Sequence, residues 1–126
     1  MTSRIFLQTC AVCCVLLISS CAKDKAKQPS AIDCSTVDQT LNTYNLKIKT
    51  ILDDNCASAG CHDPIFAASG INLATYATSR TAFETGKVLC TVNQEQGCLP
   101  MPQGGSKLAD SLITYISCWA DNNYPQ

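Results

Sequence analysis

Six cysteines remain in this 126-residue chain once its first thirty residues are set aside: Cys34, Cys56, Cys61, Cys90, Cys98 and Cys118. How they are used limits the folds open to it. If all six pair, the product is a three-disulfide scaffold with fifteen possible connectivities; if Cys56 and Cys61 hold something else, four remain with three. Ten cysteines in so short a chain point to an oxidising compartment or to a metal or cofactor site. The length gives one domain with a modest core, which covalent links would help to hold.

The first residues point to export. Met1 to Arg4 carry one positive charge, Ile5 to Ile18 are largely apolar, and Ser19-Ser20-Cys21 follow. This is the layout of a secretory signal over residues 1–20, too short for a comfortable membrane span. Ile18-Ser19-Ser20-Cys21 also resembles a bacterial lipobox, which would make Cys21 a lipidated first mature residue and tie the domain to a membrane. Residues 21–30 are polar, Lys-rich and end in Pro29-Ser30, so they are expected to be a solvated tether ahead of a domain at 31–126. That domain has five basic and nine acidic residues, a formal net charge of −4. Nucleic acid is therefore not expected as a partner; a protein partner with a basic docking patch is.

The chain's one histidine, His62, directly follows Cys61, and Cys56 lies five positions before that cysteine. Cys-x-x-Cys-His is the attachment pattern of c-type haem, in which two thiols bond the porphyrin and the adjacent imidazole reaches the iron. Here four small residues, Ala57-Ser58-Ala59-Gly60, stand between the cysteines. A four-residue insert must bulge, and Gly60 can adopt the backbone conformation that a bulge requires. Met101 is the one methionine left after the signal, in Leu99-Pro100-Met101-Pro102-Gln103-Gly104-Gly105. Prolines on both sides stiffen that loop, which suits a weak thioether ligand; away from a haem motif the same Met would read as a gap filler.

Apolar residues at helical spacing bracket these loops. Leu41, Tyr44, Ile48, Ile51 and Leu52 predict a helix over about 39–54. Leu108, Leu112, Tyr115, Ile116 and Trp119 predict another, starting at Ser106 or Asp110 and ending near Asn122-Asn123. Between them, Gly70 to Tyr76 reads as a turn entering a short helix, and Thr81 to Val88 as a further helix. There is no internal repeat.

The segments ILDDNCASAGCH, GINLATY, MPQGGSKL and LITYISCWA together resemble the cytochrome c family, in particular small bacterial lipoprotein-like members, over roughly residues 34–121. The resemblance implies an all-α, cytochrome c-like fold with N- and C-terminal helices packed around one covalent haem c. It implies Cys56 and Cys61 as thioether attachment points, His62 as proximal and Met101 as distal iron ligand. The implied function is a membrane-anchored carrier of single electrons that meets redox partner proteins and is not a catalyst. The family pattern lacks Cys34, Cys90, Cys98 and Cys118; of the three pairings open to them, Cys90–Cys98 with Cys34–Cys118 is the one suspected. On this reading the stretch 56–105 has little to pack on without haem, so the haem-free chain is expected to fold poorly.

Three rivals stand beside it. A zinc site would use Cys56, Cys61, His62 and a cysteine from 90 or 98. A haem enzyme would need an open iron position, which Met101 argues against. A haem-free, disulfide-stapled lipoprotein acting as a binding or adhesion module would leave His62 a surface residue.

Overall fold

The computed structural model describes residues 32–126. The signal peptide, the lipidation expected at Cys21 and the tether lie outside the described residues. Within them the chain is helical and forms no strand. The all-α expectation holds at that level.

The first helical segment starts later than the periodicity predicts. Asp38 accepts hydrogen bonds from the Thr40 N–H at 2.9 Å and the Thr40 hydroxyl at 2.7 Å, and its own carbonyl accepts from the Asn42 N–H at 3.0 Å. This local turn competes with helix over 38–42 and leaves Leu41 exposed. Thr43 then caps the segment, accepting from the Leu46 N–H at 3.4 Å. One π-helical stretch, Tyr44–Ile48, runs into α1, Lys49–Asn55. Tyr44, Ile48, Ile51 and Leu52 form its buried stripe.

Two short 3₁₀ turns, Cys34–Thr36 and Ala68–Gly70, stand outside the helices proper. The turn at 70–75 enters α2, Tyr76–Thr85, with Thr75 accepting from the Thr78 N–H. No single helix covers 81–88. α2 ends at Gly86, where a Cβ would meet the Ala82 carbonyl oxygen at 2.5 Å, and α3 follows as Val88–Val92. The last helix, α4, spans Asp110–Asp121, so of the two candidate starts Asp110 is the one used, an acidic residue in the first turn, where the helix dipole favours negative charge. Asn123 and Tyr124 both take positive φ, +58° each, and turn the chain back across the core.

Trp119 is the centre of that core, with no exposed surface. Its ring lies 5.4 Å from Phe83, 5.0 Å from Tyr124 and 6.0 Å from Tyr44. Its indole N–H donates to the Pro125 carbonyl at 2.8 Å, and that carbonyl also accepts from the Tyr44 N–H at 2.9 Å. Each large side chain buried in this way contributes about 1.5–3 kcal/mol. Leu73, Phe83, Val88 and Val92 join the same cluster. The stretch 56–105 thus has side-chain packing of its own, contrary to expectation. What was expected as a haem-centred arrangement is a core centred on a tryptophan.

Two disulfides close the fold among the described residues. Cys34–Cys118 joins the start of the domain to α4, with Cα atoms 5.6 Å apart across 84 positions. Cys90–Cys98 closes a loop of 8 positions, with Cα atoms 5.9 Å apart. Both separations are ordinary for a disulfide. The ion pairs Lys49–Asp53 and Arg80–Glu84 are solvent-exposed, where screening leaves such pairs little weight in stability.

Candidate functional site

With four cysteines paired, Cys56 and Cys61 are the free thiols of the described residues. Cys56 ends α1, its N–H donating to the Leu52 carbonyl at 2.8 Å, and its side chain packs against the core. Burial, and secondarily the nearby Cys61, pushes its thiol up to about 11. Cys61 is exposed.

The chain between them folds back on itself. The Cys61 N–H donates to the Ser58 carbonyl at 3.0 Å, and the His62 N–H to the Cys56 carbonyl at 3.1 Å. Gly60 sits at φ +82°, the left-handed conformation the bulge was expected to need.

Asp63 clamps this loop from the far side. One carboxylate oxygen accepts from the Gly60 N–H at 2.8 Å; the other accepts from Ile65 N–H at 2.8 Å and Phe66 N–H at 3.0 Å. The Phe66 and Ile65 bonds, in that order, hold its carboxyl below the usual aspartate range. Nothing in the sequence reading singled out Asp63, although Asp followed by Pro is a turn-initiating pair. The clamp holds up Ile65 and Phe66, which are 96% and 63% exposed.

His62 is half-buried and anchored twice. Its carbonyl accepts from the Leu73 N–H at 2.9 Å, and its Nδ1 lies 3.0 Å from the Ile71 carbonyl. A carbonyl only accepts, so Nδ1 donates, and in the neutral ring the lone pair is then on Nε2. Met101 comes from a different loop. Its N–H donates to the Thr91 carbonyl at 3.0 Å, next to the Cys90–Cys98 link, and its side chain packs on the same core cluster as Cys56 and Ile71. Cys56, Cys61 and His62 therefore share one closed loop, while Met101 joins them only through the core.

Compared with protein-family models, curated proteins and solved structures, the chain finds no match in any of the three. The resemblance to the cytochrome c family is thereby corrected. No family model carries it, and the fold that was expected to wrap a haem packs around Trp119 and is stapled by two disulfides. The matching segments are short and rich in common residue types, and the four-residue spacer departs from the family's motif. The zinc reading fails as well. Cys90 and Cys98 bond to each other, and among the described residues no group of three or more His, Cys, Asp or Glu side chains is arranged to hold a metal ion.

Away from this loop, the described residues form a concavity. It is a groove of about 370 Å³ between α1 and α4, walled by Leu46, Ile51, Leu112 and Tyr115, with Lys47 and Asp54 at its margin. The Lys47 ammonium sits 4.9 Å over the Tyr115 ring, a cation–π contact between two of the lining residues. No described helix is long and apolar enough to cross a membrane.

Proposed function

We propose that this chain is a haem-free, disulfide-stapled binding module that works outside the cytoplasm, held to a membrane through a lipidated Cys21, and that it is not a catalyst. The observation that carries the reading is the Ile65-Phe66 pair. Two large apolar side chains stand in solvent on a loop whose backbone is fixed by three hydrogen bonds to one carboxylate. A mobile loop tip would lose conformational freedom on binding; a clamped one presents a preformed apolar contact at little entropic cost. The domain's net charge of −4 favours a protein partner whose apolar pocket is rimmed by basic groups. The disulfides agree with an oxidising location. A photocrosslinking residue at position 65 or 66 should capture one discrete protein from intact envelopes, weakened by salt, that the same residue at exposed Gln103 does not capture. Absence of a discrete adduct at 65 and 66 overturns the reading.

A second reading rests on the His62 Nδ1 bond to the Ile71 carbonyl, which leaves Nε2 in the ligand tautomer beside two free thiols. These residue types are the ones a covalently attached haem would use: Cys56 and Cys61 would hold the porphyrin, and His62 and Met101 would ligate its iron. Such a group supplies one-electron transfer. The chain's own part would be to fix the imidazole through Ile71, to hold Met101 against Thr91 and to exclude water with the core. This rests on four side chains and does not restore the family assignment. Intact mass and absorption of the mature protein, made in a host able to attach haem, separate the two readings. A colourless polypeptide mass favours the module, and a retained porphyrin with a Soret band favours the carrier.

A further inference from the structure

We propose that Cys56 and Cys61 form a reversible dithiol–disulfide couple, a third and labile disulfide at the edge of the domain that exchanges with external thiols and disulfides. The inference rests on the haem-free reading, because a covalent haem would consume both sulfurs.

Geometry brings the pair together without help from a partner. The 3.1 Å bond from the His62 N–H to the Cys56 carbonyl keeps the Cα atoms of residues 56 and 61 within roughly 8 Å of each other at most, next to the range a disulfide spans. The chain between them is already turned, through the Cys61 N–H bond to Ser58 and the positive φ of Gly60. Closing the bond therefore asks for a shift of a small-residue loop and leaves α1 in place.

The two sulfurs differ in access, and the difference assigns their order. Cys61 is exposed and meets an external disulfide first; Cys56 is partly covered by the core and serves as the resolving thiol. With oxidised glutathione as the probe, the Cys61 thiolate attacks one sulfur, the glutathione S–S bond breaks, and one glutathione thiolate leaves. The Cys56 thiolate then attacks the Cys61 sulfur of the mixed disulfide and expels the second glutathione. Two electrons pass from the protein dithiol to the probe, and the two thiol protons end on the two released glutathiones. Reduction runs the same steps backward.

The other disulfides are built differently. Cys34–Cys118 spans 84 positions with Cys118 fully buried, and Cys90–Cys98 spans 8. A bond between positions 56 and 61 closes the shortest loop of the three, so it takes least from the entropy of the unfolded chain. Exposure of one sulfur adds to its lability.

The test uses the mature full chain, equilibrated in glutathione buffers of graded ratio, then trapped with an alkylating reagent under denaturing conditions and weighed intact. One two-thiol unit should open at a more oxidising ratio than the other four cysteines, and peptide mapping should place it at 56 and 61. Cys56→Ser should accumulate the Cys61–glutathione mixed disulfide about tenfold above wild type, because the resolving thiol is gone; Cys61→Ser should build up no comparable adduct at the covered Cys56. Two thiols that remain alkylatable at every ratio, with no added porphyrin, overturn the couple and leave the binding module standing. So does opening of all three bonds together. A retained porphyrin mass overturns the couple and the haem-free reading at once.

Discussion

Two halves of this small domain are held by different forces. Around Trp119, helices α1, α2 and α4 meet through buried aromatic and aliphatic side chains, and residues 122–126 strap across them. Pro125 accepts from Tyr44 and Trp119, and the Tyr124 carbonyl accepts from the Tyr76 hydroxyl at 2.8 Å. Around His62, by contrast, loops 56–73 and 98–105 are shaped by backbone bonds, one aspartate and a short disulfide. Packing hides the side chains it orders. Hydrogen-bond closure orders the backbone and leaves Cys61, Ile65 and Phe66 facing solvent, which is why the exposed thiol and the exposed apolar pair lie on the same half.

The sharpest way to break the contrast is to cut each half's covalent link. Replacing Cys34 and Cys118 together by serine should cost about 4–5 kcal/mol in denaturant unfolding, since the loop released spans 84 positions. Trp119→Ala should follow at about 3–5 kcal/mol, the usual range for a buried aromatic, with loss of the Tyr44, Phe83 and Tyr124 contacts in near-UV circular dichroism. Replacing Cys90 and Cys98, which close 8 positions, should cost only about 2–3 kcal/mol. If the short link proved the costlier, the loop half would be the more cooperative one and the comparison would reverse.

Asp63 gives a smaller, local effect with a defined sign. Its folded pKa lies below the unfolded value, about 3.9. Between the two values the unfolded chain binds more protons, so stability rises with pH there. The contribution is complete above about pH 4 and fades as pH falls through the folded value. Protection of the Ile65 and Phe66 amides, taken relative to their intrinsic exchange rates, should therefore fall below about pH 4 in wild type, and Asp63→Asn should remove that dependence. Unchanged exchange in the variant would mean that the loop is ordered by something other than the carboxylate.

Smallest is a difference in rate. In the reduced protein Cys61, being exposed, should alkylate first. Cys56, with its thiol raised to about 11, should react about tenfold faster per pH unit added until that value is approached. Equal rates at pH 8 would show that the end of α1 frays and exposes Cys56.

Much of the packed half was legible from order along the chain. The spacing of Leu112, Tyr115, Ile116 and Trp119 gave α4, and the stripe Tyr44, Ile48, Ile51, Leu52 gave the first helical segment, because one face of a helix repeats in sequence. Its start was misread because Asp38 and Thr43 make side-chain bonds that a hydrophobic period does not register. The core's centre was missed for a different reason. Tyr44, Phe83, Trp119 and Tyr124 are scattered through the sequence and meet only in three dimensions, so a local motif around His62 outweighed them. In the loop half the bulge at Gly60 was foreseen from residue type, whereas the Asp63 clamp and the Ile71 anchor of His62 depend on where two turns come to rest.

The link between Cys34 and Cys118 also decides how the domain bears load. Tension arriving from the N-terminal side passes through that sulfur bridge directly into the final helix, by-passing residues 35–117. Force applied at the start of the described domain would therefore strain the packed half first, while the face carrying Phe66 stays mechanically quiet and keeps its shape.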